Sequence, residues 1–335
     1  MLATIWNGQL LSRPRQLIGW LLRLTGVAVI AGGAMLAAPL DRPSPLRSIL
    51  QTAATVDRSD MPVLTRFQAR DGTDLAYRLY PGGGARVVVL IHGSSGSSAS
   101  VHGLAKALSR EGVTVYAPDI RGHGHSGGRG DIAYIGQLED DLGDLVAKIR
   151  QDGRNTPIAL IGHSAGGGFV LRIAARKEGA LFDRFILLAP YLGPTAPTNR
   201  PHSGGWATPD IPRILALMLL HRLGIDIGED LPVLSFAVPE GSASVLAPTY
   251  SYRLFVNFAA DRDYRSDLAK APAPVAIIAG AQDELMVAQN YRKAVAGLAS
   301  NVPVTLIPGL NHMALVGDPA ASDAVIKCLR NEEGS

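Results

Sequence analysis

Cysteine is almost absent from the chain: one residue, Cys328, in 335. That excludes a disulfide framework, a Cys-x-x-Cys redox pair and a cysteine-built zinc cluster. It leaves the compartment open, because a lone thiol survives in reducing and oxidising surroundings alike. Charge is scarce as well. Asp, Glu, Lys and Arg make up 18% of the residues, against about 25% in ordinary soluble chains. With 47% hydrophobic residues the chain is no disordered polymer, and its 37 glycines follow no triplet period, so it is not collagen-like. A concentrated basic face is also missing. The net charge of +3 sits entirely in residues 1–60, which hold six arginines (13, 15, 23, 42, 47 and 58), no lysine and three aspartates (41, 57 and 60). Residues 61–335 carry equal numbers of basic and acidic side chains, which offers nothing to a nucleic acid.

What is present begins with a membrane element. From Leu24 to Leu40 the chain reads LTGVAVIAGGAMLAAPL, without a charge. Its seventeen residues are near the lower limit for crossing about 30 Å of hydrocarbon. Extending back to Leu17 adds Trp20, suited to the headgroup level, and Arg23, which can snorkel. We expect residues 1–40 to be an uncleaved single-pass anchor that leaves the main domain outside the cytoplasm. The alternatives are a cleaved secretory signal ending near Leu36-Ala37-Ala38, giving a secreted or periplasmic protein, and a buried helix of the globular domain. Pro39 directly after Ala38 disfavours cleavage there. Residues 41–61, opening DRPSPLRSILQTAATVDRSD, read as a linker.

Residues 62–335 then alternate regularly. A hairpin (64–70 and 73–80 around Asp71-Gly72) opens the series. Short apolar runs follow at 86–91, 113–117, 158–161, 185–189, 275–279 and 302–307, with helical patterns at 100–111, 134–151, 165–178, 287–299 and 320–330. Strands buried on both faces and separated by helices imply an α/β fold with a mostly parallel central sheet covered on both sides. The rhythm breaks once. About eighty residues separate Pro190 from Ala271, far beyond the roughly 2–6 of an ordinary α/β connection. This insert, about 191–270, contains the strongly apolar Ile214–Leu220, for which Thr208 and Pro209 offer an N-cap and first helical residue. A helix apolar nearly all round buries more than one face or touches ligand or lipid. We expect a cap over a lipophilic pocket, with additional core as the plainer alternative.

The chemistry is carried by Gly162-His163-Ser164-Ala165-Gly166, a G-x-S-x-G set between a buried strand and an apolar helix. A serine on so sharp a turn is lifted clear of the sheet edge, and the flanking glycines let strand and helix approach. Its hydroxyl needs a base, and the base needs an orienting carboxylate. In chain order Ser, acid, His, the acid is expected after the strand 275–279, where Asp283 stands with Glu284 as runner-up. The base is expected after 302–307, where His312 stands; of the other histidines after Ser164, His202 and His221 both lie in the insert. Two backbone N–H groups must receive the charge that develops on the substrate oxygen. Ala165 N–H is one, and Ser94 N–H, in the loop after the first parallel strand, is our choice for the other. His92 reads as a structural loop histidine. Gly122-His123-Gly124-His125-Ser126-Gly127 satisfies G-x-G-x-x-G but opens no helix and lies at the second parallel strand, so no dinucleotide site is read there. Nor do His123 and His125 complete a metal-ligand set. The pattern asks for no cofactor and no metal.

Taken in order and spacing, RVVVLIHGSSGSS, APDIRGHGHSGG, IGHSAGGG, GAQDELM and GLNHM resemble the α/β-hydrolase superfamily, and more narrowly its monoacylglycerol lipase and lysophospholipase-like branch, grouped with serine aminopeptidases. The resemblance covers roughly residues 62–330. It implies a nucleophile at Ser164, an acid at Asp283, a base at His312, oxyanion donors at Ser94 and Ala165, and a cap entering after Ala189. It also implies that Asp119 and Arg121 tie down a structural loop. The expected activity is hydrolysis of lipophilic acyl esters, such as monoacylglycerols or lysophospholipids, through an acyl-enzyme. Another serine-triad chemistry (peptidase, thioesterase, carbon–carbon hydrolase, cofactor-free peroxidase) or a catalytically silent membrane-anchored binding protein are the alternatives. The N-terminal segment is no part of the shared core.

Overall fold

The computed structural model describes residues 39–239 and 246–330, together with Gly33, Leu36, Ala37 and Gly241. In chain order its elements are α1 (Arg47–Ala54), β1 (Leu64–Gln68), β2 (Asp74–Tyr80), β3 (Val87–Ile91), α2 (His102–Arg110), β4 (Thr114–Pro118), α3 (Gln137–Gln151), β5 (Ile158–His163), α4 (Ala165–Ala174) and β6 (Arg184–Leu188). Then come β7 (Ala207–Pro209), α5 (Ile211–Arg222), β8 (Pro232–Phe236), β9 (Thr249–Ser251), α6 (Tyr252–Asn257), α7 (Tyr264–Lys270), β10 (Val275–Gly280), α8 (Tyr291–Val295), β11 (Val304–Ile307) and α9 (Pro319–Arg330). Eight strands form one sheet in the order β1-β2-β4-β3-β5-β6-β10-β11. The β1–β2 and β2–β4 pairs are antiparallel and every other pair is parallel. Every residue of β3, β4, β5 and β10 is buried, so both faces of the sheet centre are covered, as their β-branched, charge-free sequences require. The chain is an α/β protein of the expected kind.

Several element boundaries differ from expectation, each for a local reason. The helix expected from Tyr134 begins at Gln137, because Gly136 takes a left-handed φ of 109°; Glu139 and Asp140 then occupy the first turn and Lys148 and Arg150 the last, matching the helix dipole. The helix expected over 287–299 is a single 3₁₀ turn plus α8, closed off before Gly297 at φ 72°. In the insert, Thr208 and Pro209 do not cap a helix. They belong to β7 and pair with β8, which with β9 makes a separate three-stranded antiparallel sheet. The cap is Asp210, whose carboxylate accepts the Arg213 N–H at 3.0 Å, with Pro212 in the first turn.

Two findings bear on the N-terminal reading. The stretch read as a linker contains α1, with Ile49 buried against the core. Among the described residues no helix is long and apolar enough to cross a membrane, and the expected anchor lies for the most part outside them. Leu36, near its end, packs against the buried cluster of Leu217, Val233 and Tyr252.

Candidate active site

Ser164 sits at the junction of β5 and α4 with φ 56° and ψ −119°. A non-glycine residue there carries about 1–3 kcal/mol of strain, and the surroundings hold it in place. Its N–H donates to Leu188 O at 2.8 Å, and its carbonyl accepts from Gly168 and Tyr191 N–H at 3.1 and 3.0 Å. The flanking glycines are obligatory. A Cβ on Gly162 would lie 2.2 Å from Gly166 O, and one on Gly166 would lie 2.3 Å from His92 O; both obstacles are backbone and cannot move aside. Ala165 is the first residue of α4, so its N–H is one of the unpaired donors of a helix N-terminus.

His312 follows β11 and Asp283 follows β10, neighbouring strands at one edge of the parallel sheet. Asp283 Oδ2 lies 2.8 Å from His312 Nδ1, with both side chains buried. Asp283 Oδ1 accepts from the N–H groups of Leu285 and Met286 at 2.8 and 2.7 Å. Burial alone would raise this carboxyl's pKa, but His312 and the two amides outweigh it and hold it below its ordinary value. The ionised carboxylate makes Nδ1 the donor and leaves Nε2 as the basic ring nitrogen. Glu284, the runner-up acid, touches the backbone instead: its Oε2 accepts the His312 N–H at 2.9 Å.

Two cavities meet at Ser164. One, of about 220 Å³, is lined by apolar residues that include Tyr191, Ile214, Phe236, Phe255 and Phe258, with Ala165 at its base. The other, of about 110 Å³, contains His312 and the loop Gly93–Gly96. Ser94, Trp206 and Leu285 border both. The Trp206 indole N–H donates to Ser94 Oγ at 2.9 Å, joining two of the residues that border both.

Three supporting residues were not singled out in the sequence. Tyr250, on β9 of the insert, is buried with its hydroxyl accepting the Ser95 N–H at 2.7 Å and meeting His123 Nε2 at 2.5 Å. A strand of the insert thereby braces the Ser94 loop. His163, beside Ser164, lies with its ring 4.7 Å from that of His312 and donates from Nε2 to His312 O at 3.1 Å. Burial, with His312 adjacent, lowers its pKa to about 3, so it brings no second positive charge to the site. Trp206 is the third. No sequence signal marked Tyr250 or Trp206, because their partners come from loops distant in the chain.

The remaining loop residues have defined places. His92 accepts the Ile120 N–H on Nε2 at 3.1 Å and meets Gly93 O from Nδ1 at 2.7 Å, the bonds of a buried neutral loop histidine. Asp119 accepts from the backbone of Ser98 and His125 at 2.7 and 2.9 Å. Arg121 holds the same loop through side chains, with Asp141 gripped at two positions of 2.7 Å and Thr73 at 2.9 Å.

Residues 84–227 match the family model for serine aminopeptidase, S33. A monoacylglycerol lipase of Mycolicibacterium smegmatis is 36% identical over 105 residues, which are 31% of this chain and 37% of that protein. A non-heme haloperoxidase of Rhodococcus erythropolis is 23% identical over 265 residues, 75% of this chain and 93% of that one. The chain spans less than half the length of the first curated relatives it matches. Among solved structures, a soluble variant of the Saccharomyces cerevisiae monoglyceride lipase superposes with a TM-score of 0.59 at 19% identity, covering 82% of this chain and 96% of that one. Sheet order, strained serine turn and sequence match agree: the chain has the α/β-hydrolase fold, and its residues 84–227 are similar to the serine aminopeptidase, S33, family.

Proposed function

We propose that the protein is a serine carboxylic ester hydrolase that cleaves lipophilic acyl esters, monoacylglycerols or lysophospholipids among them, through an acyl-enzyme. Ser164 Oγ attacks the ester carbonyl while His312 Nε2 takes its proton, with Asp283 holding the imidazole and stabilising the imidazolium. The oxyanion is received by the N–H groups of Ser94 and Ala165; loss of one such donor lowers the rate by about 10²–10³. His312 returns the proton to the leaving alkoxide oxygen. Water, deprotonated by the same nitrogen, then releases the acid. The observation that carries this reading is the strained Ser164 opening on an apolar cavity of about 220 Å³, next to the Asp283–His312 pair at 2.8 Å. Monoacylglycerol lipases among the relatives support the ester class.

The insert is read as the cap, and the membrane as the source of substrate. Ile211, Leu215, Leu219 and Leu223 recur every fourth residue of α5 and beyond its end, each more than half exposed. Ile211 also lines the 220 Å³ cavity, so an apolar ridge runs to the pocket mouth. Together with the charge-free Leu24–Leu40, this supports reading a catalytic domain held against a bilayer by residues 1–40; that the domain lies outside the cytoplasm is a further part of the proposal.

The test is labelling of the full-length protein with a fluorophosphonate, in buffer and in detergent, beside Ser164→Ala. Labelling and ester turnover of the wild type alone are expected. Turnover retained by Ser164→Ala overturns the mechanism, and no labelling of either form moves a silent binding protein to the front. A second reading, peroxide chemistry on the same residues, rests on the long haloperoxidase match. It requires peroxide-dependent halide oxidation that outpaces hydrolysis of long-chain esters.

A further inference from the structure

We infer that α1 is the leaving-group wall of the active site, and that this N-terminal helix, rather than the hydrolase core, selects the alcohol half of the ester. The inference rests on the serine esterase reading above.

The argument begins with which cavity holds which half of the substrate. The leaving oxygen must receive a proton from His312, so the alcohol extends on the His312 side of Ser164. His312 borders the cavity of about 110 Å³ and not the larger one. Ala165, one of the two N–H groups that receive the oxyanion, borders only the larger one, which is therefore left for the acyl chain. The smaller cavity is walled by Ile49, Leu50 and Ala53 of α1 together with Val238 and Met313. Its boundary thus comes in part from a segment upstream of residues 84–227, the stretch that the family model covers.

α1 is no loosely attached connection. Leu46, Ile49, Leu50 and Ala53 fall at helical spacing on one face, and Ile49 is buried in the core. Upstream, the Ser235 hydroxyl of β8 donates to Asp41 O, and the Leu46 N–H reaches Ala237 O at 3.4 Å. In the middle, Asn311, which precedes His312, donates from Nδ2 to Thr52 Oγ1 at 2.9 Å. Downstream, Arg58 binds Ala53 O at 2.9 Å and Ala99 O at 3.4 Å, and Asp60 meets Lys106 Nζ at 2.6 Å and the buried His102 at 3.2 Å. The strap runs from the insert across the mouth beside His312 to the hydrolase core, and is tied at all three places.

The chemistry of the wall limits the alcohol. Among the described residues that line this cavity there is no Lys or Arg, and the polar groups are serines of the 94–100 loop and the site itself. An anionic phosphate headgroup would lose its hydration there without a cationic partner. The wall therefore favours compact neutral alcohols, which separates a monoacylglycerol-type ester from a lysophospholipid.

The experiment uses the full chain with Leu50→Ala and Leu50→Trp, and two ester series. One holds the acid constant and varies the alcohol from methyl through glyceryl to benzyl and phosphocholine-bearing. The other holds the alcohol constant and varies the acid from acetyl to palmitoyl. We expect Leu50→Trp to lower kcat/KM for the bulky neutral alcohols about 10-fold or more relative to the methyl ester, and Leu50→Ala to raise them, as a change of a few methylene volumes does in an apolar pocket. The acyl-length profile and the rate of deacylation, measured with an activated ester, stay as in the wild type, because all alcohols give the same acyl-enzyme. A shift in the acyl profile instead, or unchanged alcohol selectivity in both variants while wild type and variants label with fluorophosphonate, overturns the role of α1. A wild type that fails to label, or Ser164→Ala that still turns over, overturns the esterase reading and the inference with it. Phosphocholine esters cleaved as fast as glyceryl esters overturn the preference for neutral alcohols.

Discussion

Replacing Asp283 by asparagine changes one atom and should remove most of the activity through a proton rather than through shape. Oδ1 of Asp283 accepts two backbone N–H groups, from Leu285 and Met286, at 2.8 and 2.7 Å. The asparagine must keep its carbonyl oxygen there, because turning the amide the other way would aim its NH₂ at two buried donors and leave them unpaired, at about 1–3 kcal/mol each. Its NH₂ is then forced toward His312 Nδ1, where Asp283 Oδ2 stood at 2.8 Å. Nδ1 becomes an acceptor, the ring proton moves to Nε2, and the imidazole can no longer accept a proton from Ser164. A wrong tautomer of this kind costs roughly 10⁴ in kcat, about 5.5 kcal/mol of barrier. The assay is steady-state hydrolysis of a short soluble ester from pH 6 to 9, with the fluorophosphonate labelling rate alongside. Retention of more than about a tenth of wild-type turnover would refute the assignment and point to Glu284, 2.9 Å from the His312 amide. The pH dependence of stability has a definite sign. Asp283 is held below its ordinary pKa, so its contribution to folding is present above the unfolded-state value of about 3.9 and is lost as the pH falls through the lower folded-state value. Melting curves of wild type and Asp283→Asn should therefore converge as the pH falls below about 4.

Two other outcomes follow from the same geometry. Ser164→Gly relieves the positive φ of 56°, so it should be about 1 kcal/mol more stable than the equally inactive Ser164→Ala after the entropy cost of glycine, a melting difference of about 2–4 °C; equal melting temperatures would mean the turn stores no strain. Leu215→Ser combined with Leu219→Ser removes two exposed leucines that line neither cavity, so turnover of soluble short esters should hold while affinity for phospholipid vesicles, read by co-sedimentation, falls about 10-fold or more; unchanged vesicle binding would remove α5 from the membrane contact.

The core of the fold was legible because its signals are local. VVVLI, TVYAP and VAIIAG are β-branched or small, free of charge and bounded by turn residues, and each of those strands is buried throughout. The serine turn was legible for a steric reason, since only glycine fits at positions 162 and 166. Pairing Asp283 with His312 needed only the order of strands, because β10 and β11 are neighbours and their following loops meet. What failed were boundaries decided by tertiary pairing. Thr208 carries a good capping side chain, yet it is drawn into a ladder with Ser235 of β8, and nothing near position 208 announces a strand 27 residues further on. Tyr250 and Trp206 were invisible for the same reason: a tyrosine becomes a brace for Ser95 only when an insert of undetermined fold brings it there.

The segment 41–61 is a different kind of miss, and it alters how the site is understood. Proline and polar residues at its start argue for a linker, but Leu46, Ile49, Leu50 and Ala53 already carry the i, i+3, i+4, i+7 spacing of a one-sided helix. An eight-residue helix is unstable alone in water, so α1 exists only because it has a surface to lie on, and that surface includes the cavity beside His312. Its stability and its position at the site are thus the same fact. The insert makes the complementary case: α5 buries only Arg213 and Leu217 and leaves a row of leucines in the open. A segment that should be solvated is packed at the active site, and one that should be packed is left bare. Both departures belong to parts of the chain outside the parallel sheet. On the proposed reading they lie on the path of a lipophilic ester from a bilayer to Ser164: the sheet would carry the reaction, while selection and delivery of the substrate would rest on what has been added around it.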